Sequence, residues 1–397
     1  MASIMNSISK QSKKTIPLPF SVYFWTVTFL AVAGLADSLY LAVSHYRVYT
    51  DIAYSSFCAI SKAINCDTVS QSTYSKFLGM PVPVWGVLGY IFLLLFLLFA
   101  WSKDAQKQRI WPILFFLSLG YSFYSVILAI ISTFYIRSYC LMCILSYGIN
   151  FLLLYFSWLI RKRFDTIRIF KGLKLDFIYL WKLKRRTLPV FSTALCLGAI
   201  LFIYFPSYWS FPSTLLSRDM PTGITKEGYP WIGAQTPQIE IMEFADYQCF
   251  QCKKMHIFLR QLVAKYPAKI RLIHRHFPMD DRINPIVREK FHVGSGAMAL
   301  LATSAQSEGK FWEINDVLYS LAGKKNEINI KELAEKIGLN YRALSSAIKD
   351  GHIRYKVKHD ISSGIKMGIN GTPAYVVNNK VYFANIPKQI LKKVMEY

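Results

Sequence analysis

The sequence predicts an α-helical membrane bundle of five spans joined to a soluble α/β domain with a helical insertion. Three features of the chain predict this. Five apolar runs, near 19–44, 82–101, 110–136, 138–160 and 188–207, each reach the roughly 20 residues needed to cross a bilayer. Residues 238–397 instead alternate strand-like and helix-like patterns. Hydrophobic residues make up 53% of the 397, and charged residues only 18%, against roughly 25% in soluble domains. That composition excludes a disordered chain, which would be polar, and an ordinary soluble enzyme, which would not carry long uncharged runs.

The spans justify themselves by what they omit. The second to fifth contain no Asp, Glu, Lys or Arg, and the first contains only Asp37. The net charge of +24 is unevenly spread. Lys10, Lys13 and Lys14 precede the first span, and Lys103, Lys107 and Arg109 sit between the second and third. The stretch 161–187 holds ten basic residues against Asp165 and Asp176. The other connections are poorer: 45–81 has Arg47, Lys62 and Lys76, and 137–139 has Arg137. Positive-inside bias therefore places residues 1–18 and the 161–187 loop in the cytoplasm. After five spans the C-terminal part emerges outside. The loop reads as a solvated, lipid-surface segment. No nucleic-acid-binding motif accompanies it, so no nucleic-acid partner is expected. Ala31-Val32-Ala33 is weakly like a signal cleavage site, but the apolar run continues to Tyr40, so a retained helix is expected.

Spans one to four, 19–160, read as one membrane domain, and 188–207 as a fifth helix. Residues 208–237 contain Pro212, Pro221, Gly223, Gly228, Pro230, Gly233 and Pro237 and read as a linker. The soluble domain, 238–397, begins with the alternating strand Ile239–Phe244. Helical spacing follows over 250–266, and a second strand over Lys269–Phe277. A helix-rich insertion covers 295–365, with a turn at Gly309-Lys310-Phe311-Trp312. Ala374–Val377 and Val381–Phe383 form a hairpin across Asn378-Asn379-Lys380, and a last helix starts near Pro387. His274 and His276 alternate with Arg275 on a strand face expected to be solvated or half-buried, and no metal site is assigned.

The chemistry lies in the cysteines. Six of the seven form close pairs, Cys58 with Cys66, Cys140 with Cys143 and Cys249 with Cys252. A disulfide-stapled mini-protein would be shorter and far denser in cysteine. Cys249-Phe250-Gln251-Cys252 follows a strand and opens a helix, where unpaired N–H groups and the helix dipole stabilise a thiolate. The first cysteine there attacks and the second resolves the mixed disulfide; the plainer alternative is a static disulfide or a metal clip. Cys140-Leu141-Met142-Cys143 lies at the outer start of span four, where a lipid-soluble oxidant has access. Cys58 and Cys66 sit in the outer loop, able to shuttle between that site and the soluble domain. Cys196, alone in span five, reads as a packing residue.

Residues 238–397 resemble the thioredoxin fold of the DsbA type. The resemblance rests on Glu243-Phe244-Ala245-Asp246-Tyr247-Gln248-Cys249-Phe250-Gln251-Cys252, the Gly309–Trp312 turn, and Gly368-Ile369-Asn370-Gly371-Thr372-Pro373-Ala374. It implies that Pro373 is cis and packs beside the two cysteines, where a substrate backbone could pair. Phe250-Gln251 departs from the Pro-His dipeptide of the strongest oxidants.

Residues 20–160 resemble the bacterial form of the vitamin K epoxide reductase family. This rests on Gly34-Leu35-Ala36-Asp37-Ser38-Leu39-Tyr40, Asn65–Ser75, Gly79-Met80-Pro81-Val82-Pro83-Val84-Trp85-Gly86 and Cys140–Asn150. It implies a four-helix redox core in which Cys143 faces a quinone and Cys140 exchanges with Cys58 and Cys66. It also implies a quinone pocket that includes Ser72 and Tyr147; packing is the bland alternative for those two. Asp37 is costly inside a membrane, and a place near the outer interface is expected of it, with a proton role as the second option.

The expectation is a multi-pass thiol oxidase of a bacterial plasma membrane, with its thioredoxin-like domain on the periplasmic side. Reduced secreted or envelope proteins would be its substrates, and ubiquinone or menaquinone its electron acceptor. One alternative is an envelope disulfide isomerase or reductase. Another is a membrane copper metallochaperone, with the cysteine pairs and Met142 or Met255 as soft ligands.

Overall fold

The computed structural model describes residues 18–60, 63–101, 109–164, 167–209, 220–321 and 328–395. Lys10, Lys13, Lys14, Lys62, Lys103, Lys107, Asp165 and the linker stretch 210–219 lie outside them. The described residues fall into two compact units, one drawn from 1–45, 57–69 and 74–206, the other from 46–56, 70–73 and 207–397.

The first unit is helical. α1 runs Phe20–Thr50, α2 Cys66–Gln71, and a 3₁₀ turn Thr73–Ser75 leads to the short hairpin β1 (Lys76–Phe77) and β2 (Met80–Pro81). α3 (Val82–Ala100) and α4 (Trp111–Ile130) follow, and α4 widens into a π-helical turn over Ile131–Ile136. α5 (Leu141–Phe164), α6 (Ile169–Lys182) and α7 (Lys184–Tyr204) complete it. Among the described residues, five helical stretches are long and apolar enough to cross a membrane: Phe20–Thr50, Val82–Ala100, Trp111–Ile136, Leu141–Phe164 and Lys184–Tyr204.

Inside the bundle, Phe24, Val27, Tyr90, Leu93, Trp111 and Leu153 form the apolar core. Outside, Trp25, Phe29, Leu98, Phe123 and Leu195 are exposed, an apolar surface suited to lipid. Buried backbone and side-chain polar groups must pair internally in such a setting. Tyr90 accordingly donates to Asn150 Oδ1 at 2.8 Å, and Asn150 Nδ2 donates to Ser125 Oγ at 2.9 Å.

Two expectations are corrected here. The 161–187 stretch is not simply a solvated loop: most of it is α6 and the start of α7. Asp176 is buried and caps α4, its carboxylate accepting from Ile110 N at 3.0 Å and Ile113 N at 3.4 Å. Cys196 is not a packing residue, because α7 exposes it.

The second unit contains a mixed sheet. Its strands are β3 (Thr222–Ile224), β4 (Pro230–Gly233), β5 (Ile239–Ala245), β6 (Ile270–His276), β7 (Ala374–Val377) and β8 (Lys380–Phe383), in the order β3-β4-β6-β5-β7-β8. α8 (Phe250–Lys265) connects β5 to its parallel neighbour β6. α9 (Ser295–Gln306), α10 (Phe311–Leu321), α11 (Ile330–Ile337), α12 (Tyr341–Ser346) and α13 (Gly351–Lys366) form the insertion, and α14 (Lys388–Met395) closes the chain. β7 and β8 turn through Asn378 and Asn379, both at positive φ, the geometry that asparagine tolerates in tight hairpins.

The linker expected over 208–237 ends earlier than the composition suggested. β3 and β4 lie within it, and β4 pairs antiparallel with β6 through Trp231, Ile232 and Gly233. The expected half-wet face of β6 is also corrected. Apolar clusters cover the sheet on both sides, one built on Leu259 and Leu272, the other on Phe244, Phe277 and Ile361. His274 and His276 are therefore buried.

Candidate functional site

In the second unit, β5 delivers the chain to the first residue of α8. Asp246 fixes the turn: Oδ1 accepts from Gln248 N at 2.6 Å, and Oδ2 from Met279 N at 2.6 Å and Ser295 Oγ at 3.0 Å. Cys249 is the N-cap of α8, and its sulfur accepts the Cys252 backbone N–H at 3.3 Å. The Cys249 thiol also points at the Thr372 carbonyl oxygen, 3.6 Å away. The Thr372–Pro373 bond is cis.

The two thiols are electrostatically unlike. The hydrogen bond from the Cys252 side chain pulls Cys249 below the usual thiol value, against its burial, and His292 adds to the pull. Burial, with the neighbouring Cys249, pushes Cys252 well up. A low-lying thiol at a helix start beside a protonated partner is the arrangement of an attacking and a resolving cysteine.

Beneath α8 lies a buried polar cluster that sequence reasoning missed. Glu243 Oε1 accepts from His256 Nδ1 at 2.9 Å and His274 Nδ1 at 2.8 Å. His274 Nε2 meets His276 Nδ1 at 3.3 Å, and Asn315 Nδ2 lies 2.9 Å from His256 Nε2. Burial raises the Glu243 carboxyl, but the two histidines outweigh it and hold the group at about 2. Glu243, His256 and His274 bring three potential metal-ligand atoms within 4.8 Å of one another. In the geometry present, each Nδ1 is engaged with the carboxylate as a hydrogen-bonded network. A signal existed in the sequence: His256 lies one helical turn after Cys252, on the same face.

In the first unit, Cys58 and Cys66 form a disulfide, buried with Leu41 and Cys140 in one cluster against which Met142 and Cys143 also pack. Backbone pairing stitches the two segments together. Asn65 N donates to Tyr139 O at 2.9 Å, and Tyr139 N to Ala63 O at 2.7 Å. Cys140, just before α5, accepts the Cys143 N–H on its sulfur at 3.2 Å. The hydrogen bond from the Cys143 side chain draws the Cys140 thiol below its usual value. A dithiol and a disulfide in one cluster are the two reactants of thiol–disulfide exchange.

Of the remaining expected site residues, Tyr147 lies one turn beyond Cys143 on α5, half-buried. Ser72 follows the end of α2, half-buried; it sorts with the second unit and Tyr147 with the first. Asp37 is 5% exposed, with Ser146 donating to Oδ2.

Comparison with known proteins bears on both units. Residues 25–158 match the model of the vitamin K epoxide reductase family, and residues 225–396 match a thioredoxin model. The chain is a vitamin K epoxide reductase domain fused to a thioredoxin domain.

Among curated proteins, this fusion is similar to the Na(+)/H(+) antiporter NhaA 3 of Salinispora tropica, 23% identical over 148 residues, 37% of this chain and 21% of that one. The chain thus spans about a fifth of that relative's length. Among solved structures it is similar to a thioredoxin-like oxidoreductase from Silicibacter pomeroyi DSS-3, at 22% identity and TM-score 0.35, covering 46% of this chain and 94% of that one. It is also similar to the thiol-disulfide exchange protein alpha-DsbA2 from Wolbachia pipientis, at 22% identity and TM-score 0.35, covering 42% of this chain and 86% of that one. In the fusion, the thioredoxin domain carries Cys249 and Cys252, and the vitamin K epoxide reductase domain carries the other two pairs.

Proposed function

We propose that the chain is a membrane thiol oxidase that makes disulfide bonds in extracytoplasmic proteins. A client dithiol reduces the Cys249–Cys252 disulfide. That dithiol reduces Cys58–Cys66, which in turn reduces Cys140–Cys143. Each exchange breaks one S–S bond and forms another, passing two electrons and two protons onward. Cys143 then passes them to a membrane quinone, ubiquinone or menaquinone, which leaves as hydroquinone.

The observation that carries this reading is the burial of the Cys58–Cys66 disulfide in one cluster with Cys140. The chain also suits a quinone at Cys143. That residue is half-buried, and its neighbours Ile144 and Leu145 are exposed apolar side chains on α5. Tyr147, one turn beyond Cys143 on α5, would supply a hydrogen bond to a quinone oxygen. The quinone contributes a two-electron sink, and each ~30 mV by which it is more oxidising shifts the exchange equilibrium about tenfold.

The basic ends of α5 and α7, with Arg161, Lys162, Arg163, Lys184, Arg185 and Arg186, support a cytoplasmic 161–187 segment and an extracytoplasmic thioredoxin domain in a bacterial plasma membrane. The reading is tested with the full-length protein in lipid, a reduced peptide and ubiquinone or menaquinone. Quinone reduction with one disulfide formed per quinone is expected, and Cys143→Ala should abolish it. Intact turnover in Cys143→Ala would break the relay order.

A further inference from the structure

A carboxyl group inside an apolar bundle is expensive unless it is paired or used. Asp37 sits in the middle of α1 and is 5% exposed. Ser146 of α5 satisfies its Oδ2. Oδ1 is buried with no hydrogen-bond partner, a cost of several kcal/mol for a charged group in a dry site. Gly34, one turn before Asp37, permits a close approach of α3, because a β-carbon there would overlap the ring of Tyr90. The titratable groups on the elements packed against this stretch of α1 are Tyr90 of α3, whose ring lies over Gly34, and Cys143 of α5, the helix that carries Ser146, with Cys140 just before it. Ser146 lies three residues after Cys143, on the same face of α5. Among the described residues of the membrane-spanning helices, Asp37 is the acidic side chain, and Ser146 ties it to the helix that carries Cys143.

We propose that Asp37 is the proton-exchange group of the Cys140–Cys143 couple, taking a thiol proton at Oδ1 when the pair is oxidised. This rests on the quinone reading above for the identity of the oxidant. The balance is simple. Forming the Cys140–Cys143 S–S bond breaks two S–H bonds and releases two electrons and two protons. The quinone takes both electrons and both protons to become hydroquinone. One proton travels by way of the Asp37 carboxyl, which forms an O–H bond and then gives it up, ending unchanged. Ser146 orients the carboxyl through Oδ2 and leaves Oδ1 open to the proton.

The test uses the full-length protein in lipid with two readouts. The first is infrared difference spectroscopy between the oxidised and chemically reduced Cys140–Cys143 pair, with no quinone added. A carboxyl C=O band that changes between the two states is expected in the wild type and should vanish in Asp37→Asn. The second is quinone reduction across pH. Asp37→Asn should lose about 100-fold near neutral pH, the scale of a general base, and recover as pH rises. Asp37→Glu should retain most of the rate.

An unchanged carboxyl region in the wild type, or an Asp37→Asn rate equal to wild type at every pH, overturns the proposal. If Asp37→Asn does not fold, Ser146→Ala must move the same band, and an unmoved band likewise overturns it. A wild type that shows the band but reduces no quinone upholds the role of Asp37 and refutes the proposed acceptor, so the two failures are separable.

Discussion

The sulfur of Cys249 accepts a hydrogen bond from the backbone N–H of Cys252, 3.3 Å away, at the first turn of α8. With the hydrogen bond from the Cys252 side chain, which lowers Cys249 most, and the burial that raises Cys252, it divides the labour between two otherwise identical side chains. Cys249 titrates below the usual thiol and Cys252 well above it. In the reduced full-length protein, iodoacetamide should modify Cys249 with a midpoint below about 8.5, while Cys252 stays unmodified over the same range. Equal rates at the two positions would remove the distinction.

The shared burial of Cys58, Cys66 and Cys140 has a trapping consequence. With Cys143→Ala, the Cys140 thiolate can attack the loop disulfide, but no neighbour remains to resolve the product. A Cys140 mixed disulfide with Cys58 or Cys66 should accumulate and be found by peptide mapping without reductant. Adding Cys140→Ala should erase it.

Glu243 is held at about 2, against an ordinary value of 4.5. A carboxyl depressed on folding contributes stability that is full above its unfolded value and lost as pH falls through its folded value. Glu243→Gln should cost about 3–5 kcal/mol near neutral pH, because His256 and His274 lose a buried charged acceptor. Thermal denaturation of the full-length protein should show the gap to wild type closing as pH falls from about 4.5 toward 2.

Asp176 ties α6 to the start of α4 through two backbone N–H groups. Asp176→Ala should destabilise the protein by about 1 kcal/mol, the usual worth of a helix cap. Asp176→Asn should cost less, since one amide oxygen can still accept. A thermal shift series separates the two.

The proposed orientation predicts that a periplasm-dependent reporter enzyme is active when fused after Tyr397 and inactive when inserted near Arg168. The reverse pattern would place the thioredoxin domain in the cytoplasm, where a disulfide-forming role has no client.

The sequence made the spans legible because nothing but lipid rewards uncharged runs of that length. Strand β5, helix α8 and the hairpin at Asn378 were equally plain from periodicity and turn chemistry. The rest was hidden for specific reasons. α6 mixes Lys171, Lys174 and Lys182 with Phe170, Phe177 and Trp181, so its charge reads as a loop although it is helical. β3 and β4 carry Gly223, Pro230 and Gly233, which read as linker until their pairing with the sheet is seen. The alternation at His274 and His276 suggests one wet face, but a central strand covered on both sides has none. At the site, the cysteine pairs announced themselves by spacing. Asp37 was singled out by its cost in a membrane, but its burial and its bond to Ser146 depend on how α1 meets α5, which local sequence does not encode. Glu243 and His256 needed tertiary contact to be recognised.

The exposure of Cys196 on α7 gives the protein an internal reference thiol. A side chain facing hydrocarbon meets uncharged maleimides that dissolve in lipid and is sheltered from sulfonated ones that do not. Comparing the lipid-soluble labelling of the wild type with that of Cys196→Ser therefore subtracts this seventh sulfur from the count, so the oxidation state of the three pairs can be scored in intact vesicles.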